Sequence, residues 1–184
     1  MILELLGLYM FFSSNKKKTK PTTQPNRNNM VAYINYNKTA PANNNPGNLI
    51  TKASAFKGGL YQLRNKTIVF DSMQNGVRAL ISNLAWYHKS LLPGLKREFT
   101  IKNIVKSWAP NDDKSGNPLL LGNDEGIYSN TIQNLSGIDK NTVLKFTQGN
   151  IYAIARAMCV QEHGLDAVTE DTFVRAWNDL YTQK

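Results

Sequence analysis

Between Glu4 and Asp71 the chain carries no acidic residue, while ten lysines and arginines fall in the same stretch. Ten positives less Glu4 give +9 for residues 1–70, and the other twelve basic residues are matched by twelve acids from residue 71 onward. The whole net charge of +9 therefore lies in the first seventy residues. Residues 13–48 are also rich in Asn, Thr, Pro and Lys and lack any hydrophobic period. Such a segment cannot bury enough apolar surface to offset chain entropy, so residues 1–40 read as a basic, disordered, low-complexity arm. Folding falls to residues 41–184, a length suited to one hydrophobic core.

A one-sided basic arm fits a polyanion, whether nucleic acid, an acidic membrane face or an anionic wall polymer, or it keeps an unfolded tail soluble. Its tip, Met1–Phe12, is apolar and precedes Lys16, Lys17, Lys18 and Lys20. Twelve residues fall short of the roughly 20 that a helix needs to span a bilayer core. The basic cluster follows the apolar stretch, the reverse of a secretory signal. That order suits shallow insertion with the lysines on acidic headgroups, or packing on a partner protein. Met30–Tyr36 reads as a short strand or docked piece.

In the body, Leu60–Leu63 and Thr67–Phe70 flank Arg64-Asn65-Lys66 as a small hairpin. The period then becomes helical. Ser72 caps a helix bearing Val77, Leu80, Ile81, Leu84 and Leu91, stopped at Pro93-Gly94. Thr100 caps a second, with Ile101, Ile104, Val105 and Trp108 on one face, ended by Pro110. Residues 111–123 form a long polar loop and a candidate functional rim. A third helix starts near Asp124 and turns Tyr128, Ile132 and Leu135 inward. Thr147 caps a fourth, carrying Ile151, Ile154, Ala155, Met158 and Cys159 and closed by Gly164. Thr169 caps the last, with Phe173, Trp177 and Leu180 as its stripe. Five helices and a hairpin make a mainly α, α+β domain.

One cysteine excludes an internal disulfide, and His88 and His163 alone cannot build a zinc site. No cofactor or metal is expected, and Cys159 reads as a buried, inert thiol. The run Asn43-Asn44-Asn45-Pro46-Gly47-Asn48-Leu49 is either a turn, since Asn tolerates left-handed backbone, or a sugar-binding edge.

This run is followed by Gly76-Val77-Arg78-Ala79, then Trp108-Ala109-Pro110, then Tyr128 through Gly137-Ile138. The series resembles a family of phage and prophage virion structural proteins, typified by a structural protein of tailless phages with an internal membrane. Its pattern runs Asn-Asn-Pro-x-Asn-Ile/Leu, Gly-Ile/Val-Arg-Ala, Trp-Ala-Pro, a Glu-Asn-x-Thr-like stretch and a Tyr. The helix pair from Ile151 to Leu180 is similar to the version in Bacteroidetes phages, and the resemblance covers about residues 43–180. It implies a virion protein with other virion proteins, the viral membrane and peptidoglycan as partners, and nucleic acid reached only through the arm. By analogy it further implies a lysozyme-like fold that cuts glycan strands as a hydrolase or lytic transglycosylase. The alternative is a non-catalytic minor capsid protein linking shell and membrane through the arm.

Glycan cleavage needs a protonated carboxylic acid beside the scissile oxygen. Glu125 stands near the family's Glu-Asn stretch, with Asp124 beside it and Asp71 as a further choice. The first two also suit a helix N-terminus. Asn44, Asn45, Asn48, Trp108 and Tyr128 are the candidate substrate contacts. The family often has a Glu before its Gly-x-Arg-Ala, whereas here Gln74 and Asn75 stand there. Arg78 reads as a buried or half-buried pairing residue.

Overall fold

The computed structural model describes residues 43–50, 52–63, 67–109 and 125–182. The arm with Lys16, Lys17, Lys18 and Lys20, the Met30–Tyr36 piece, Arg64-Asn65-Lys66, the whole 111–123 loop and Asp124 lie outside them.

The hairpin is present. β1 (Gly59–Gln62) pairs antiparallel with β2 (Ile68–Phe70), with Tyr61 opposite Val69 and Gln62 opposite Ile68. The register is irregular between Gly59 and Tyr61. Every residue of β2 is buried, because its other edge is taken too: Ile68 N–H donates to Leu49 O and Phe70 N–H to Asn43 O, both at 2.9 Å.

Five helices follow. α1 (Met73–Trp86) continues through a π-helical turn, Tyr87–Leu91, into a final turn, Leu92–Gly94. α2 is Ile101–Trp108, α3 Glu125–Ser136, α4 Gln148–His163 and α5 Glu170–Tyr181. This is the mainly helical α+β arrangement that the periodicity predicts.

The N-terminal caps form as expected. Ser72, Thr100, Thr147 and Thr169 each accept from the backbone N–H three residues on. In α2 and α4 the third residue adds a second stitch the sequence reading missed. Asn103 and Asn150 send their side-chain amides back to the carbonyls of Glu98 and Lys145, each at 3.0 Å. A capping box has the third residue accept from the cap N–H; here an amide instead donates to a carbonyl two residues before the cap, holding the incoming chain as well as the helix. Gly164 ends α4 at φ 71°, its N–H on Val160 O, the left-handed cap that favours glycine.

α1 lies across α5 and α4, while α3 packs on α4 and α2. Val77, Leu80, Ile81 and Leu84 meet Ile151, Ile154, Met158 and Phe173 in the main core. A smaller cluster of Leu49, Ala53, Ile68, Phe70 and Ala79 lies under the hairpin, and Trp108 packs against both. Two helical stripes differ in detail from the sequence reading. Leu135 is 37% exposed, because the buried face of α3 is centred on Ile132 between Tyr128 and Ser129 and leaves Leu135 on its flank. In α5, Phe173 and Ala176 are buried, with Trp177 and Leu180 half-buried beside them.

Candidate functional site

The Asn-rich run is a turn, and its asparagines divide the labour. Asn44 and Asn48 have φ of 51° and 49°, the left-handed region that Asn enters more readily than most residues. Asn45 is fully buried and uses both ends of its amide. Oδ1 accepts from Leu49 N–H at 2.9 Å, and Nδ2 donates to Leu49 O and Ile68 O at 3.0 and 2.9 Å. Asn44 donates to Phe70 O at 3.1 Å. These two side chains hold the turn on β2, so neither is directed to a ligand.

The turn is also pressed onto α1. A Cβ on Gly76 would stand 1.7 Å from Asn44 O, and one on Gly47 would stand 2.9 Å from Leu80 Cδ1 and 3.3 Å from the Trp108 ring. The glycines of the Asn-Pro-Gly-Asn and Gly-Val-Arg-Ala runs are thus two sides of one close approach. From the other side, the buried His163 ring bonds Asn45 O through Nε2 at 2.9 Å. A carbonyl only accepts, so Nε2 carries the proton. Burial lowers the His163 pKa to about 4, and the ring is neutral at pH 7.

With its neighbours fixed, Asn48 reaches a carboxyl the sequence reading did not single out. Its Nδ2 donates to Oε2 of Glu162, in the last turn of α4, at 3.3 Å, and its Oδ1 accepts from Thr67 Oγ1. Trp108 Nε1, at the end of α2, donates to Glu162 Oε1 at 3.2 Å. Tyr128 OH, from α3, donates to the same oxygen at 2.6 Å. One partly buried carboxyl therefore gathers the turn, α2, α3 and α4.

Burial pushes the Glu162 pKa up, and it outweighs the opposing pull of the Tyr128, Asn48 and Trp108 hydrogen bonds. Tyr128 is pushed well up in turn, by burial first and then by Glu162 beside it, so its hydroxyl keeps its proton and remains a donor. Tyr87 lies behind Trp108, ring centroids 6.0 Å apart, with its hydroxyl on Ser107 O and its pKa raised by burial to about 12.

Of the five predicted substrate contacts, Asn48, Trp108 and Tyr128 meet at Glu162, while Asn44 and Asn45 are spent on backbone. Of the predicted acids, Asp124 lies outside the described residues. Asp71 is exposed at the start of α1, where Asn75 Nδ2 and Ser72 Oγ donate to it at 2.8 and 3.0 Å and lower its pKa. That is the opposite of what a proton donor needs. Glu125 is partly buried at the first position of α3, one turn before Tyr128. Arg78 is half-buried on α1.

A signal for Glu162 was present in the sequence. An acid in the last turn of a helix sits where the dipole favours a cation, and such local inconsistencies concentrate at functional or strained sites. Cys159 is buried, with its thiol pushed up by burial to about 11. Among the described residues no group of three or more His, Cys, Asp or Glu is placed to hold a metal ion. No helix among them is long and apolar enough to cross a membrane. No protein-family model and no curated protein matches the chain.

Proposed function

We propose that this chain is a virion-associated, lysozyme-like protein that cleaves the glycan strands of peptidoglycan, with Glu162 as its general acid. The observation that carries this reading is the environment of that carboxyl: its pKa is raised by burial, and it sits among two aromatic side chains and an amide. An acid must hold its proton near neutral pH to pass it to a leaving oxygen, and burial is the usual means. Oε2, which accepts the long bond from Asn48, carries the proton in this mechanism. It passes to the glycosidic oxygen as the C–O bond breaks, and the resulting carboxylate takes a proton from the incoming water. Trp108 and Tyr128 both donate to Oε1, so Oε2 is left pointing one way. This assigns the acid role to Glu162 in preference to Glu125, Asp124 or Asp71.

The same three hydrogen bonds favour a second reading, in which Glu162 is a pin joining four segments of a non-catalytic minor capsid protein. A zymogram against peptidoglycan separates the two. Glu162→Gln keeps an acceptor for Tyr128 and Trp108 but has no proton to give. Under the enzymatic reading the wild-type chain clears the gel, and the variant, shown folded by circular dichroism, loses activity by about 10²–10⁴-fold. No clearing by folded wild-type protein leaves the capsid reading.

A further inference from the structure

Away from Glu162, a second surface is chemically uneven. The segment that leaves α1, residues 95–100, runs beside the segment between α3 and α4, residues 139–146. Leu144 N–H donates to Phe99 O at 2.9 Å, and Lys102 N–H donates to Lys140 O at 3.0 Å. Each segment exposes one aliphatic side chain, Leu95 at 47% and Val143 at 57%. The two segments and the start of α2 carry Lys96, Arg97, Lys102, Lys140 (its ammonium on Asn130 Oδ1) and Lys145, against Glu98 and Asp139. That is five positives less two negatives, or +3. Residues 71–184 balance at twelve and twelve, so the remainder of that span carries −3 and this face is a local excess.

Two details indicate that the face is more than solvated lysine. Lys96 adopts φ 54° where α1 ends, with its N–H on Pro93 O and the next N–H on Leu92 O. Glycine is the usual occupant of such a left-handed cap, and a lysine there costs stability that the fold does not require. The same two segments also carry Phe99 and Phe146, which belong to a cluster of aromatic rings. Phe99 and Phe146 have centroids 6.0 Å apart, and Phe146 stacks on Trp177 at 5.7 Å, with Tyr181 against both. Exposed aliphatic tips on cation-rich segments, one of which packs its Phe146 on Trp177 and Tyr181, match the chemistry of the lipid interface. A nucleic-acid groove has no use for the exposed Leu and Val.

We propose that this face docks the body on an anionic lipid surface, Leu95 and Val143 dipping into the headgroup boundary while the five cations meet lipid phosphates. The contact is separate from any made by the N-terminal lysines and does not depend on the Glu162 chemistry.

The test uses the full chain and phosphatidylcholine vesicles with and without phosphatidylglycerol. Flotation with the anionic vesicles is expected. It weakens roughly tenfold or more in Val143→Asp and roughly fivefold in each of Lys140→Gln and Lys145→Gln at low salt. Lys96→Gly supplies a readout that a structural role alone would not give: the thermal midpoint rises while vesicle affinity falls. Because Lys16–Lys20 can also bind anionic vesicles, the contact is located with an environment-sensitive dye on Val143→Cys. The buried Cys159 thiol does not compete for the label. A blue shift on anionic vesicles supports the proposal. Flotation without a dye shift, or flotation indifferent to Val143→Asp, assigns binding to the arm and overturns it. A shift produced by duplex DNA but not by vesicles overturns it in favour of a nucleic-acid face.

Discussion

His163 should make the fold acid-sensitive in a way that one substitution can isolate. Folded, its pKa is about 4 because the ring is buried; unfolded, it titrates near 6.5. Between these values the unfolded chain binds more protons than the folded one. The stabilisation is therefore complete above about pH 6.5 and drains away as pH falls towards 4. A shift of about 2.5 units at 1.36 kcal/mol each sets a ceiling near 3 kcal/mol. Glu162 works in the other direction. Its folded pKa is raised, so its contribution is present below the unfolded value of 4.5 and lost as pH rises through the folded one. Wild type alone would mix the two slopes. His163→Gln removes the first and keeps the second, because the Gln amide can donate to Asn45 O as Nε2 does. Urea unfolding followed by far-UV circular dichroism at intervals from pH 7 to pH 4 gives both curves. The stability difference between the two proteins should move by about 3 kcal/mol across that range, against the wild type in acid. Parallel curves would show that His163 does not titrate differently on folding, and the argument from its burial would fall.

Two further substitutions probe the turn and the carboxyl. Gly76→Ala places a methyl carbon 1.7 Å from Asn44 O; it should cost 3 kcal/mol or more, the upper end for overpacking (about 1–3 kcal/mol), and a chemical-denaturation midpoint equal to wild type refutes the close approach. Tyr128→Phe removes a donor that lowers the Glu162 pKa, so the carboxyl should titrate higher still; carbon-13 titration of labelled glutamate reads this directly, and an unchanged or lower value contradicts the geometry.

Much of the fold was legible because its signals are local. A cap such as Thr100 depends on a side chain three residues from its partner, and the stripe of α4 depends on spacing alone. The Gly76–Asn44 approach joins residues far apart in sequence, so each run could be noticed but not their mutual dependence. The site divided along the same line. Asn48, Trp108 and Tyr128 stood out as polar or aromatic residues in distinctive runs, yet their shared target belongs to a fourth segment. Glu162 follows the apolar run of α4 by a few residues, and only the packing of the turn, α2 and α3 around that helix end gives it its character. Asp71 and Glu125 drew attention because they flank helix starts, the positions where an acid is stabilised as an anion.

The indole of Trp108 touches the packing beneath the hairpin, the packing among the helices and the Glu162 carboxyl. Of the two other tryptophans, Trp86 is half exposed and Trp177 stacks with Phe146 and Phe173. The molecule thus carries a built-in optical gauge: ionisation of one acid alters the electric field on one chromophore. Proton loss at the centre can then be followed by emission colour in the unmodified protein, with neither substrate nor label added.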